Sequence, residues 1–475
     1  MALSQQKLFN KIFKLEEHNR AYIMGKQKIN FEDFLVEDKE KGIYRADRKV
    51  FTDEDIFEKE MKTIFEKNWV YLCHESQIKN PNDFFTTYMG RQPVIITRDK
   101  EGEIHGFINA CSHRGAQLVN RACGNKRKMV CPFHMWTYDM KGKLLDCGEH
   151  KNNVGYSESF NKDNLGLQTI GNIESYRGFV FGVLDDNACS LKEFLGETTQ
   201  SIDLMVDQAE QGLEVIPGIT TYTYNGNWKL QAENGVDGYH LEAIHGNYVM
   251  TLANRKKIQA ENDPVKAADV GAMTSGSTEE LPGGYYHLGN GHVMLWAKFP
   301  NAEDRPLYVG GKMPALQEEF GKERAEFMAG FLRNTCIYPN VFLMDQMSTQ
   351  IRHFRPIAVN KTEVTTYCIA PIGESDDARE RRIRQYEDFF NATGMATPDD
   401  LTAFNNSQIG FMGEKQRWSD MCRGAMNTVA GPEKVAKSVG LNPVESGTNL
   451  EDEGIMVAQH KRWAEMMIKG QAEEG

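Results

Sequence analysis

Two cysteine–histidine pairs carry the most specific chemistry in this chain. Cys111 pairs with His113 and Cys131 with His134, and seventeen residues separate the pairs. Thiolate and imidazole are ligands for soft or borderline metals, and two tight pairs on separate loops can close round one centre. Each pair supplies one residue of each type. A zinc finger groups its cysteines ahead of its histidines, whereas a Rieske [2Fe–2S] cluster needs two thiolates on one iron and two imidazoles on the other. The pattern favours the Rieske cluster, with a structural zinc site and a plain buried Cys/His group as competing readings. Cys123 lies between the pairs and matches the spacing of neither.

A second constellation occupies residues 233–245, where His240 and His245 stand five positions apart. A regular α-helix turns such residues roughly 140° away from each other. A local π-type widening would return them to one face, and such widenings are frequent at functional sites. Two imidazoles and one carboxylate form the facial triad of non-haem Fe(II) oxygenases, which leaves positions open for O₂ and substrate. Core histidines explain the pair equally well on its own, and the Rieske pattern in the same chain tips the reading towards iron. Asp237 stands three residues before His240, too near to be the obvious third ligand. Local sequence does not choose among the more distant Asp and Glu residues.

The rest of the chain must position these groups. Its 475 residues are enough for two to three domains, and 40% hydrophobic with 26% charged residues is the composition of a globular enzyme. A net charge of −12 argues against binding nucleic acid or an anionic membrane surface. No apolar run is long enough to span a bilayer, and the first residues lack the core of a signal peptide. Nine scattered cysteines do not make a disulfide framework, so the expectation is a cytoplasmic protein with reduced thiols.

Three regions are expected: an arm at 1–68, a metal domain at 69–184 and a second domain at 185–475. Leu8, Ile12, Phe13 and Leu15 suggest a helical lead-in, and residues 52–55 open a helix carrying Ile56, Phe57, Met61, Ile64 and Phe65. From Trp69 the chain turns to short β-rich runs at 70–72, 93–97, 104–108 and 176–184, with a hairpin turn at 141–143. In the second domain, residues 190–207 read as helical and 261–291 as a long loop. Strands at 220–224, 292–298, 341–344, 350–354 and 363–371 suggest an antiparallel sheet. The charged helix at 376–390 reads as a solvated face.

The motifs taken together resemble the large (α) subunits of the Rieske non-haem iron ring-hydroxylating dioxygenases. The similarity is greatest to the benzoate 1,2-dioxygenase branch, with toluate and anthranilate dioxygenases. It runs from about Gly42 to the C-terminal region and rests on residues 109–115 and 131–134, with further motifs at 226–230, 237–240, 344–346 and 394–400. The resemblance implies an α+β protein: an all-β Rieske domain joined to a helix-grip-like catalytic domain with an antiparallel sheet. By position in the family's motif it implies Asp400 as the carboxylate ligand beside His240 and His245, with Asp399 the neighbouring candidate. It implies that Asp237 bridges the two metal sites between subunits.

It further implies an α₃β₃ assembly with a small β subunit, and electrons from NADH through a separate flavin and iron–sulfur reductase. The reaction would convert an aromatic carboxylate and O₂ to a cis-dihydrodiol. The absence of a G-x-G-x-x-G after any strand agrees with a separate reductase. Alternatives are an anthranilate, toluate or halobenzoate substrate, monohydroxylation or demethylation, or an electron carrier with no chemistry of its own. Segments near Met250, 288–295 and Met395 are candidate pocket walls. One departure is visible: Met135 stands where the family usually has glycine.

Overall fold

Beyond Trp69 the β-branched and aromatic runs pair into antiparallel sheets. They do so in a computed structural model that describes residues 29–148, 156–157, 159–262, 282–298, 313–346 and 348–474. Asp83–Met89, Gln92–Arg98 and Ile104–Ile108 form a meander extended by Cys123–Asn125, and Met129–Val130, Trp136–Tyr138 and Leu144–Cys147 form a smaller sheet. The metal-loop candidates occupy connections between these strands. Cys111 and His113 follow Ile104–Ile108, and Cys131 and His134 fill the turn between Met129–Val130 and Trp136–Tyr138. A core of their own, including Phe84, Ile95, Phe107, Leu118 and Tyr138, lies beneath both loops.

The run at 176–184 is not one strand. Asn172–Tyr176 and Phe179–Val183 pair with each other, and Arg177 and Gly178 make the turn at φ of 52° and 93°. Two consecutive residues of positive φ give the tight hairpin turn whose twist matches its strands. Phe179–Val183 also pairs with Val70–His74, so Tyr71 and Phe181 join the large core of the rest of the chain.

The strands expected in the second half belong to one nine-stranded antiparallel sheet. In spatial order it runs Leu213–Tyr224, Lys361–Pro371, Thr349–Ala358, Val341–Asp345, Phe331–Ile337, His292–Lys298, Gly283–Gly289, Glu445–Gly447 and Val429–Ala430. Gly283–Gly289 lies in a stretch expected to be loop. Its Tyr285, Tyr286 and Leu288 are buried, and a turn at Asn290–Gly291 folds it onto the next strand. Residues 263–281 of that expected loop, and the lead-in residues Leu8, Ile12, Phe13 and Leu15, lie outside the described residues.

The helical stretch at 190–207 divides into Leu191–Leu195 and Thr198–Val206, with Gly196 between them at φ 51°. The helix Asp376–Phe389 is not simply a solvated face. Its Arg382 is fully buried, and Glu374 and Thr349 each meet the guanidinium at 2.6 Å.

The arm is tied to the far end of the chain. Leu35–Asp38 and Ile43–Asp47 form a sheet with Trp418–Asp420, and Phe31 and Phe34 meet the Trp463 ring edge-on. Glu54–Glu60 continues as a single π-turn, Met61–Phe65. The buried Glu60 carboxylate there accepts hydrogen bonds from Trp228, Lys229 and Trp463. Among the described residues no helix is long and apolar enough to cross a membrane.

Candidate metal centres

The two Cys/His loops share one backbone design. In each, the residue four places after the cysteine donates its N–H to the cysteine carbonyl: Gly115 to Cys111 at 2.8 Å and Met135 to Cys131 at 3.0 Å. Each cysteine N–H in turn donates to the carbonyl of the next residue along, Ala116 or Trp136, at 2.8 Å. The closing residue is left-handed in both loops, with φ of 71° at Gly115 and 61° at Met135. The turns bury Cys111 and Cys131 and leave His113 and His134 half-exposed at the tip.

The two imidazoles lie 4.6 Å apart between centroids, and His113 stacks on Trp136 at 4.7 Å and 5°. The Tyr138 hydroxyl sits 3.2 Å from Cys111 Sγ, and Arg114 donates to His134 Nε2 at 2.5 Å.

These residues fit a binuclear cluster better than a single zinc. Buried His113 Nδ1 has no hydrogen-bond partner, a vacancy that costs about 1–3 kcal/mol unless something bonds there. Tetrahedral zinc with bonds of 2.0–2.3 Å would bring all four donors within about 4 Å of one another. Among the described residues, the group of three or more potential ligands lying within 4.8 Å of one another is instead His240, His245 and Asp400. Two thiolates held together inside and two imidazoles held together outside can serve the two irons of a Rieske cluster, one pair on each.

That second group is assembled from two helices. The helix Trp228–Asn234 ends just before Asp237, and His240 immediately precedes the helix Leu241–Asn262, accepting from Ile244 N–H at 2.9 Å. No π-widening is used here. Because His240 stands ahead of the helix rather than in it, its ring can turn back towards His245. Asp400 comes from the first turn of Thr397–Phe411, where Pro398 suits a helix start and an acidic side chain meets the positive end of the dipole. Asp399, next to it, is half-buried and outside the group.

His240 Nε2 and His245 Nε2 lie 3.2 Å apart, and Asp400 Oδ1 is 3.5 and 3.3 Å from them. Metal bonds of about 2.1 Å set 90–110° apart would separate ligand atoms by about 3.0–3.4 Å, so the three atoms fit one ion. Asn234 Nδ2 reaches Asp400 Oδ1 at 3.2 Å and His240 Nε2 at 3.3 Å. Asp237 Oδ1 accepts from Tyr239 N–H at 2.7 Å, and its Oδ2 lies 3.2 Å from His240 Nδ1. That second contact is close enough for an ion pair, although the ring N–H is not aimed along it and Nδ1 makes no hydrogen bond. Burial disfavours a charged His240, but Asp237 and Asp400 outweigh burial and hold its pKa above the ordinary value. Burial pushes Asp400 the other way, and the two histidines hold its carboxyl below the usual carboxylate range.

The triad opens into a pocket walled by Leu295, Ala297, Leu332, Met344, Phe389 and Phe390. Of the walls expected from sequence, Leu295 is present, while Met250 is 60% exposed and Met395 and Leu288 do not line it. Asn234 and Arg352, both in this pocket, were not among the candidates. Asn234 had a signal in its place six residues before His240, within the same motif; Arg352 had none.

Residues 68–161 match the model for the Rieske [2Fe–2S] domain, and residues 215–469 match that for the ring hydroxylating alpha subunit (catalytic domain). The chain therefore belongs to the ring-hydroxylating α-subunit family, oxidoreductases with a Rieske cluster and a mononuclear iron. It is 49% identical to the toluate 1,2-dioxygenase subunit alpha of Pseudomonas putida, over 93% of this chain and 95% of that one. The 2-halobenzoate 1,2-dioxygenase large subunit of Burkholderia cepacia is 47% identical, over 90% of each chain. Among solved structures, naphthalene 1,2-dioxygenase with indole bound in its active site matches with a TM-score of 0.78 at 25% identity, covering 92% of this chain and 95% of that one.

Proposed function

We propose that this chain is the large subunit of a terminal oxygenase that cis-dihydroxylates benzoate or a close analogue at ring positions 1 and 2. The observation that carries the reading is the His240–His245–Asp400 group opening directly into a mostly apolar pocket. The relatives named for toluate and 2-halobenzoate support an aromatic carboxylate.

In this reading Cys111, His113, Cys131 and His134 of the region 69–184 hold the [2Fe–2S] cluster. His240, His245 and Asp400 of the region 185–475 hold the iron, which supplies O₂ activation when bound. Asn234 Nδ2 lies against Asp400 Oδ1 and His240 Nε2, the atoms that face the ion, and helps fix where they point. The apolar wall excludes water and offers the ring a dry surface. Asp237 orients His240 through its other nitrogen, and it meets a cluster imidazole of a neighbouring copy, either His134 or His113. At His134 the exposed Arg114 would have to yield its place.

Electrons come from NADH through a separate reductase, since no nucleotide motif is found in the sequence. The assembly is α₃β₃ with a small β subunit, working in the cytoplasm. Oxygen uptake with a purified reductase and a panel of benzoates tests the function. The expected product is a cis-dihydrodiol carrying both atoms of labelled O₂; uptake indifferent to every benzoate would overturn the proposal.

A further inference from the structure

Three arginines are buried among the described residues: Arg333, Arg352 and Arg382. Two are closed by protein. Arg333 donates to Asp345 and to the Met328 carbonyl, and Arg382 is held by Glu374 and Thr349. Arg352 differs. It is 4% exposed, its Nε is buried without a partner, and its guanidinium makes no hydrogen bond or ion pair among the described residues. The centroid of the Phe390 ring lies 5.5 Å from its guanidinium carbon. Arg352 lines the same pocket as His240, His245 and Asp400.

A guanidinium does not shed its proton to escape burial. Left unanswered in a low-dielectric site, such a charge is costly, by several kcal/mol on general grounds. Asp400 contributes to the field around it, but the two side chains form no ion pair, and the Asp400 oxygen Oδ1 is turned towards the histidines. The fork of Arg352 is therefore an open cationic socket in an otherwise largely apolar pocket.

We infer that Arg352 anchors the carboxylate of the substrate, bidentate, and so selects aromatic carboxylates over neutral arenes. The inference rests on the proposed substrate class and assigns it a residue. The planar fork matches a carboxylate in spacing and charge. Its place also fits the chemistry. Oxygen added at ring positions 1 and 2 reaches the carbon bearing the carboxylate, so the group that holds that carboxylate must share the pocket with the triad. Strand register fixes it there: Arg352 lies opposite Phe342 on one neighbour and Thr366 on the other, inside the sheet.

The test compares benzoate with benzamide, its neutral isostere, on the metal-loaded oxygenase by equilibrium binding. Iron and sulfide content serve as the check on folding. Arg352→Gln should weaken benzoate roughly a hundredfold and leave benzamide within about threefold, since the loss is that of a desolvated charge pair. Arg352→Lys keeps the charge without the fork and should lose about tenfold while still preferring benzoate. Equal weakening of both ligands, or unchanged benzoate binding in either variant, overturns the anchor. Should Arg352→Gln fail to load iron, the Arg352→Lys comparison decides alone. Wild-type enzyme that binds benzamide as tightly as benzoate overturns the substrate class itself, and the anchor with it.

Discussion

Residues 111–134 place all four candidate cluster ligands on two adjoining loops, thiolates buried and imidazoles half-exposed. His240 and His245 instead come from the start of one helix, His240 just ahead of it, and Asp400 from another helix far along the chain; their side chains are 16%, 6% and 11% exposed. The difference follows from what each centre must do. A cluster that exchanges electrons with other proteins needs an accessible edge, and Phe133 and Met135 flank that edge at 60% and 54% exposure. A centre that activates O₂ needs water kept away and ligands held still. That takes the rigid frame of helices packed on the nine-stranded sheet rather than a loop.

If the two regions are separately built, each can be destroyed alone. Cys131→Ala removes a buried thiolate from the small core, and complete loss of the Rieske paramagnetic resonance signal and of acid-labile sulfide is expected. Mononuclear iron should remain near one per chain. Loss of both irons together would show that the regions fold as one unit. The reciprocal change is His245→Ala, which should empty the mononuclear site and take turnover to background while the visible cluster spectrum is kept. Asp400→Ala should match it, and Asp399→Ala should not.

The same contrast explains what could be read from sequence. The loop residues were legible because ligand type and spacing are local, and the turn that presents them is set within six residues. Asp400 was reachable through family resemblance alone, since nothing near it in the chain marks it as a ligand. Arg352 left no trace. In the run Thr349-Gln350-Ile351-Arg352-His353-Phe354 polar and apolar residues intermix as in a half-solvated strand, yet all six are buried, so this stretch of strand is covered on both faces. Arg382 misled for a related reason, as a charged helix buried one guanidinium against Glu374. The Arg177-Gly178 turn was missed because two residues leave almost no gap between apolar runs.

Asp237 asks whether the two centres, though carried by different elements, are joined in operation. Asp237→Asn keeps the size and the Tyr239 contact but removes the charge facing His240. Both metals should remain, and single-turnover oxidation of a pre-reduced cluster should slow by roughly tenfold to a hundredfold, the range for a carboxylate behind a ligating imidazole. Normal cluster oxidation would break the link. Loss of mononuclear iron would make Asp237 a support for His240 alone.

The smallest expected effect tests the symmetry of the two loops. Gly115 and Met135 occupy equivalent places, closing the turn four residues after each cysteine at φ of 71° and 61°. Glycine takes that conformation freely, whereas a side chain there is strained by about 1 kcal/mol. Met135 is 54% exposed, so removing its side chain sacrifices little packing. Glycine also widens the freedom of the unfolded chain, which opposes the gain. Met135→Gly should therefore raise the stability of the cluster loop by no more than about 1 kcal/mol, read as slower loss of the visible spectrum in denaturant. Faster loss would mean that the Met135 side chain is held by a surface absent from the isolated chain. The matching change, Gly115→Ala, should destabilise the first loop by about 1 kcal/mol. Its added Cβ meets no atom within 4 Å, so the loss reports backbone strain alone. Opposite signs at the two positions would establish that the loops are one design carried by two different residues.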